Sequence, residues 1–538
     1  MPSIEDQLAL EQDMQDRGAS TYIKNQRKAE EKGRGSELDY SRRLMQDYLQ
    51  PMIEALERQQ MKRGPGKFGT ARKMLERIDP AKAMFIALKG LFNAFTIEEP
   101  VASTAARIGR MVEDEIRFTR FQDLYTDYYD TIIKDFKRKG TKDYRYMHRV
   151  LTHSANNQED GWLVWAQRER IDVGMRLLDI ILTESDLVDK HTGYKGNKTE
   201  VLLIPTDAAK QWIDKHEAHN SVMFAERGPC IIEPDMWTSI YQGGYYSPIM
   251  RKNTPMVKCS GKMQQKLLEK NDLSEVQEAI NAQMRVPWAV NTRVLDVLKT
   301  VWAQDLGVGI PHSEKLLPPD CPVPTKEELK ISGKILNANE LKLLDEWKKV
   351  ASEVYTMEKE RIAQAFQTTR ILKMANQYGQ YGSFWYVWYA DFRGRLYTAT
   401  AGFSPQGPDA AKGLLRFAEG KPLGDDGLYW LKIHIANRYG FDKEDFPDRV
   451  KWTEDRQEVL LAIASDPIAN IHHWKDADKP YQFLAAVFEY AECAALVALG
   501  YQAGDYVSRL PIGLDGSCNG LQNFSAMLRD EVGGRATN

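Results

Sequence analysis

The chain has 538 residues, length for about three or four domains, with 43% hydrophobic and 28% charged residues and a net charge of −3. That balance describes a soluble, core-forming protein, and no uninterrupted apolar run reaches the length of a membrane span. The acidic start Met1-Pro2-Ser3-Ile4-Glu5-Asp6 argues against a secretory signal and against an Arg-rich presequence, and the five scattered cysteines (230, 259, 321, 493, 518) form no CxxC pair or zinc spacing, as expected in a reducing compartment.

Residues 4–155 are expected to be almost wholly helical. Over 107–125, Ile108, Met111, Val112, Ile116, Phe118 and Phe121 recur near the helical period, and 173–187 repeats the pattern. Two basic clusters stand out. Arg58, Lys62, Arg63, Lys67, Arg72 and Lys73 include no acid between them, and Gly64, Pro65, Gly66 and Gly69 make that stretch a loop. Lys134, Lys137, Arg138, Lys139, Lys142, Arg145 and Arg149 are interleaved with Tyr144 and Tyr146. Such groups neutralise phosphates and release counterions; a solvated face is the competing reading.

Residues 192–200 read as a polar, turn-rich stretch. Pro, Gly, Trp and β-branched residues over 230–246 predict hairpins, and a helix is expected over 273–304. Pro311, Pro318, Pro319, Pro322 and Pro324 exclude a continuous helix and mark a seam. One or two long amphipathic helices follow over 339–380, then mixed α/β structure. His472-His473 reads as a surface pair, because sequence neighbours rarely point the same way.

Two stretches carry chemistry. In Asp391-Phe392-Arg393-Gly394-Arg395, a glycine between two arginines lets backbone approach a ligand closely. Asp391 can orient a guanidinium, whose planar fork suits phosphate. In 510–522 an apolar run, read as a short buried strand, delivers Asp515 to its end. Gly516 follows, then Leu521, Phe524 and Leu528 at helical spacing. One carboxylate plus a neighbouring carbonyl is a plausible partial shell for Mg²⁺; taken alone, Asp515 reads rather as a helix cap.

The run Asp515-Gly516-Ser517-Cys518-Asn519-Gly520-Leu521-Gln522 resembles motif A of the single-subunit, phage-type DNA-directed RNA polymerases, with Asn523 where a histidine is usual. Residues 391–395 resemble that family's DxxGR motif. Further matches fall in family order: 403–407, 412–415, 420–422, 430–434 and 488–490, and in the amino-terminal half Gln7-Leu8-Ala9-Leu10-Glu11, 108–118 and Val286-Pro287-Trp288-Ala289-Val290-Asn291-Thr292. The resemblance implies a mainly α amino-terminal promoter-binding domain (1–305, with the hairpin near 230–246), a Pro-rich linker (306–326), thumb-like helices (327–380) and a partial α/β palm of a right-hand polymerase (381–538). It implies Asp515 and the Gly516 carbonyl as ligands of two Mg²⁺ ions, Asp391, Arg393, Gly394, Arg395 and Lys412 as template and hybrid contacts, and Lys62, Arg63 and Lys67 as a promoter-recognition loop. Ile232, after Cys230-Ile231, becomes the apolar wedge that parts the promoter strands; ordinary hairpin packing is the other reading.

The implied partners are promoter DNA, an RNA–DNA hybrid and nucleoside triphosphates, with no membrane, in the cytoplasm of a phage's host. Lys359, Arg361 and Arg370 are diluted by acids and glutamines, so the thumb is expected to grip a hybrid weakly. The family's motifs B and C are not found after motif A. The expectation is that this chain alone does not polymerise, as a fragment or as half of a split enzyme whose second polypeptide supplies the fingers. Small residues Gly516, Ser517 and Cys518 leave room for a ribose hydroxyl, against a related DNA polymerase. A non-catalytic nucleic-acid-binding protein is the remaining alternative.

Overall fold

The computed structural model describes residues 2–61, 69–97, 99–141, 144–158, 164–195, 198–259, 261–514 and 518–537. It is mostly helical, with short strands between, and divides into two compact units, Gln15–Ala225 and Met1–Met14 with Glu226–Asn538. Residues 226–305 thus fall with the carboxyl-terminal residues in this division.

The unit Gln15–Ala225 is built on four amphipathic helices, Asp39–Met61, Pro80–Ile97, Val101–Leu124 and Gln167–Glu184. Their apolar stripes supply one core that includes Met52, Leu56, Leu88, Leu91, Ile108, Val112, Leu177 and Ile181. Two glycines set the closest crossing. A Cβ on Gly109 would sit 2.0 Å from the Arg170 carbonyl oxygen, and one on Gly174 would sit 1.9 Å from that of Ala105. The backbones therefore touch where side chains would otherwise stand. One turn away, the buried Glu113 carboxylate accepts from the Trp165 N–H (2.9 Å) and from Arg170 Nε (2.6 Å), and pairs with Arg117 (2.7 Å). A smaller core of Phe121, Ile132, Phe136 and Ala155 closes the helices Thr126–Arg138 and Tyr144–Asn156.

Where a polar turn was expected at 192–200, the chain forms an antiparallel hairpin, Val188–Lys195 against Lys198–Pro205. The polar residues occupy its outer half, while Val188 and Leu203 at its base are buried. β-branched and aromatic residues fit a half-buried pleated surface whatever their polarity.

In the other unit, Trp388–Asp391 is the middle strand of three, parallel to Val257–Lys258 and antiparallel to Leu396–Thr398. Trp288–Val290 pairs with Leu415–Phe417. The helix expected over 273–304 is therefore two helices, Ser274–Met284 and Thr292–Ala303. Pro287 lacks an N–H and disfavours helical backbone at Val286, and the freed residues join a sheet. The long helix is a single element, Ala338–Tyr378. Its last turns bury Ile371, Leu372, Ala375 and Tyr378, whereas Leu341, Tyr355, Met357 and Phe366 are exposed.

Pro480–Ala498 is long and apolar enough, by composition, to cross a membrane. Gln482, Glu489 and Glu492 interrupt it, and its buried face (Phe483, Leu484, Ala486, Val487, Phe488) makes it a core helix. Replacing Gly174 by alanine is expected to destabilise the Gln15–Ala225 unit by about 1–3 kcal/mol or more, because backbone rather than a movable side chain meets the new methyl. Denaturant unfolding followed on that unit measures it.

Candidate nucleic-acid and metal site

The strand Trp388–Asp391 ends in a tight turn, and Leu396–Thr398 returns from it. Gly394 adopts φ +83°, a left-handed conformation glycine enters without strain. Asp391 organises the turn. Its Oδ1 accepts the N–H groups of Arg393 (2.9 Å) and Arg395 (3.0 Å), and its Oδ2 accepts Nε (2.9 Å) and Nη2 (2.7 Å) of Arg393. Burial works to raise the Asp391 pKa, but these hydrogen bonds outweigh it and hold the carboxyl below its ordinary range. The guanidinium that Asp391 orients is thus that of Arg393. Arg395 is exposed and, among the described residues, pairs with no carboxylate.

Lys412 lies on the short helix Asp409–Gly413, whose placement is set by Asp409. That carboxylate accepts from the Tyr481 N–H (2.8 Å), the Gln482 N–H (3.2 Å) and Gln482 Nε2 (3.0 Å) at the start of the core helix. Burial pushes its pKa up, and the hydrogen bonds pull against that. With its Nε2 committed, Gln482 presents Oε1 to Arg438 Nη1 at 3.3 Å.

Motif A is approached from the same helix. Glu489 accepts the Ser508 hydroxyl and the Arg509 N–H (3.0 Å), fixing the chain just ahead of 510–514. Contrary to expectation, 510–514 is not a buried strand: it has irregular backbone, with Ile512 and Leu514 exposed. Pro511 has no N–H to donate, and the only strand nearby is the two-residue Val507–Ser508. Asp515, Gly516 and Ser517 lie outside the described residues. Cys518 then turns left-handed (φ +55°), and the expected helix follows as Asn519–Leu528. Its apolar positions Leu521, Phe524 and Leu528 are exposed.

These segments meet at one cavity of about 450 Å³. Trp388 lines it from the strand leading to Asp391, Lys412 from its helix, and residues 510–513 from the run toward Asp515; Gln283, His434, Arg438, Gln482 and Trp288 add to its polar lining. Among the described residues, no Asp or Glu lines it. Trp288 Nε1, Trp388 Nε1 and Arg438 Nε have no acceptor among the described residues. The cavity is thus rich in donors and cations. Among the described residues no group of three or more His, Cys, Asp or Glu side chains could hold a metal ion, and His472 and His473 are exposed, as expected.

The remaining predicted residues are placed elsewhere. Lys62, Arg63 and Lys67 lie outside the described residues; of their basic neighbours, Arg58 pairs with Glu184 (2.9 Å) and Arg72 with Glu76 (3.4 Å). In the second basic cluster, Arg138 and Lys139 both pair with Asp135 at 2.6 Å, leaving Lys134, Lys137 and Arg149 exposed. Ile232 is half-buried, in a bend before the hairpin formed by Asp235–Ser239 and Gln242–Gly244. In the long helix, Arg361 is held by Glu358 (2.7 Å) and Arg370 by Glu226 (3.1 Å). Sequence reading passed over Asp409, Arg438 and Gln482, and gave His434, inside the matching run 430–434, no role. The only signal was a polar residue in an apolar helix, which does not separate a site from a satisfied core group.

His434 is buried, and burial followed by the neighbouring Arg438 holds its pKa down to about 4. The folded state therefore favours neutral imidazole. Stability on this account is full above the ordinary histidine pKa of about 6.5, declines as pH falls, and levels off near 4. His434→Gln is expected to remove that part of the acid-side slope, read by denaturant unfolding across pH 4–7.

Residues 6–282 match the family described as DNA-directed RNA polymerase N-terminal, and 421–538 match DNA-dependent RNA polymerase. T7 RNA polymerase of Escherichia phage T7 is 32% identical over 550 aligned residues, covering 99% of this chain and 60% of the relative. The DNA-directed RNA polymerase of Enterobacteria phage K11 is 32% identical, over 81% of this chain and 47% of its own length. The mitochondrial DNA-directed RNA polymerase 1 of Arabidopsis thaliana is 27% identical, over 81% and 47%. The chain thus spans about 60% or less of the length of these relatives. With one family description over its amino-terminal half and the other over its carboxyl-terminal part, the chain belongs to the single-subunit, phage-type DNA-directed RNA polymerases.

Proposed function

We propose that the protein carrying this chain synthesises RNA on a DNA template from promoters, in the cytoplasm of a phage's host. The observation that carries this reading is the convergence of Trp388, Lys412 and residues 510–513 on one donor-lined cavity, whose last lining residue, Gly513, stands two positions before Asp515 in the sequence. In this reading Ala338–Tyr378 is the thumb and 381–538 part of the palm.

The reaction is attack of the RNA 3′-hydroxyl on the α-phosphorus of a nucleoside triphosphate, with pyrophosphate leaving. Asp515 and the Gly516 carbonyl form an oxygen-only donor set, the kind Mg²⁺ takes while keeping several waters. Among the described residues the cavity lining holds no carboxylate and suits phosphate oxygens. Bound at Asp515 and Gly516, Mg²⁺ supplies activation of the hydroxyl and neutralisation of the leaving group. The protein's own share is positioning and electrostatics. Lys412 and Arg395 take strand phosphates, and Asp391 holds the turn that presents Arg395. Lys62, Arg63 and Lys67 contact promoter DNA, and Ile232 is the wedge that parts it, at the expense of unstacking a base step. With Arg361 and Arg370 already paired to carboxylates, the thumb adds little electrostatic grip.

Asp515→Asn in the polypeptide as its gene encodes it is expected to lower template-directed RNA synthesis by at least about a hundredfold while leaving duplex binding within about twofold. Labelled-nucleotide incorporation and a gel-shift titration measure the two, and undiminished synthesis would refute the reading. Asp391→Asn deprives Arg393 of its ionised partner and loosens the turn. Affinity for an RNA–DNA hybrid is expected to fall about tenfold, measured by fluorescence anisotropy, with a shallower salt dependence if Arg395 is lost from its phosphate.

A further inference from the structure

The three-stranded sheet that leads to Asp391 has a second face whose groups the chemistry above leaves unused. Val257, Trp388, Ala390 and Thr398 are buried in the core. Side chains alternate along a strand, so Lys258, Tyr389, Asp391 and Tyr397 share the other face. The register sets Lys258 beside Asp391 and Tyr389 beside Tyr397. The two tyrosine rings stack, with centroids 5.9 Å apart and planes inclined by 28°. Lys258 Nζ stands 5.9 Å from the centroid of the Tyr389 ring, within cation–π range.

Tyr389 and Lys258 help to line a separate cavity of about 330 Å³, and the half-buried Arg227 lines it with them. The Arg227 guanidinium is fixed by neutral acceptors: Nε donates to Thr254 Oγ1 (2.8 Å) and Nη2 to the Asn253 carbonyl (2.7 Å). It is thus positioned while its charge stays unspent. Among the described residues no Asp or Glu lines the cavity, and neither Arg227 nor Lys258 pairs with a carboxylate. Cations used for structure nearby are paired: Arg251 with Asp235 (2.6 Å) and Arg393 with Asp391 (2.7 Å). Unspent cations beside an accessible aromatic ring suit a nucleotide, whose base stacks on the ring while its phosphate meets the charges. A duplex does not fit this arrangement, because a paired base inside the stack has no face to offer a side chain. Asp391 stands between Lys258 on one neighbouring strand and Arg395 on the other, to whose carbonyl it donates its N–H (2.8 Å). A polynucleotide with one phosphate on Arg395 therefore runs on past Lys258.

We propose that Tyr389, Arg227 and Lys258 form a subsite for one nucleotide of single-stranded nucleic acid, its base against the Tyr389 ring and its phosphate between the two cations. The inference rests on the polymerase reading for the origin of the strand, a transcript or a separated DNA strand. Binding at the subsite itself needs no catalysis, so the two ideas fail separately.

The test uses the polypeptide as its gene encodes it, without added Mg²⁺. Short single strands, one of RNA and one of DNA, carry iodouracil, which on irradiation couples to an aromatic ring stacked on it. Adducts are mapped by mass spectrometry, and affinity is measured by fluorescence anisotropy across a salt series. An adduct on Tyr389 is expected from at least one strand, and which strand gives it names the source: RNA for a transcript, DNA for a separated strand. Tyr389→Ala is expected to weaken binding of that strand about tenfold with the salt dependence unchanged, and Tyr389→Phe, which keeps the ring, to stay within about twofold of wild type. Arg227→Gln and Lys258→Gln are each expected to weaken binding about fivefold and to lower the salt slope by about 0.7. Lys258 is exposed, so its variant tests the charge even where Arg227→Gln does not fold. No Tyr389 adduct from either strand, an equal adduct from the same iodouracil in a duplex, or an unchanged salt slope in Lys258→Gln overturns the subsite. A wild type that synthesises RNA once Mg²⁺ is added but gives no Tyr389 adduct removes the subsite and leaves the polymerase reading. A Tyr389 adduct in a protein that synthesises none keeps the subsite and removes that reading.

Discussion

The structure depends on one repeated interaction: a buried or partly buried carboxylate or amide accepting backbone N–H groups from turns, irregular chain, a helix start or a short strand. A buried N–H without a partner is strongly unfavourable, and this protein carries its motifs on such chain. Glu11 serves Tyr246 and Ser247, Asp391 serves Arg393 and Arg395, Asp409 serves Tyr481 and Gln482, and Glu489 serves Arg509. Asn281 both accepts from the Trp237 N–H (2.8 Å) and donates to its carbonyl (2.9 Å). Each acceptor sits on a helix or at the end of a strand, so rigid elements fix the geometry of flexible ones.

This division of labour suits nucleic-acid chemistry. Strand phosphates must be met by cations whose positions are reproducible but whose charge is unspent. Arg393 and Arg395 show the partition: one is consumed by Asp391, and the other is left for a ligand. Around the cavity, Asp409 commits one end of Gln482, which orients Arg438, while burial keeps His434 neutral and removes a charge that would otherwise need compensation. Among the described residues the cavity thus holds positioned donors and no carboxylate.

Helices were legible because their apolar period is local. Ile108, Val112 and Phe121 pack where the periodicity put them, and the charged pattern over 339–380 became one helix. Two errors share a cause. The helix expected over 273–304 was broken by Pro287 and a sheet partner 129 residues away, Phe417 standing opposite Trp288. The strand expected over 510–514 lacked such a partner. Strand formation depends on pairing at a distance, which a local pattern does not encode. For the site, resemblance named Asp391, Arg395 and Lys412, but not which arginine Asp391 would consume. Gln7 and Glu11 could not be told from a solvated helix face, because a polar pair at i, i+4 looks the same whether water or a buried backbone receives it.

The most direct measurement is a crystal or cryo-electron structure of the gene's product with a primed RNA–DNA template and Mg²⁺. The account predicts Lys412 and Arg395 within hydrogen-bond distance of strand phosphates, a cation on the Asp515 carboxylate, and Glu489 still bonded to Arg509. A hybrid seated away from this cavity, with both cations clear of every phosphate, would contradict it.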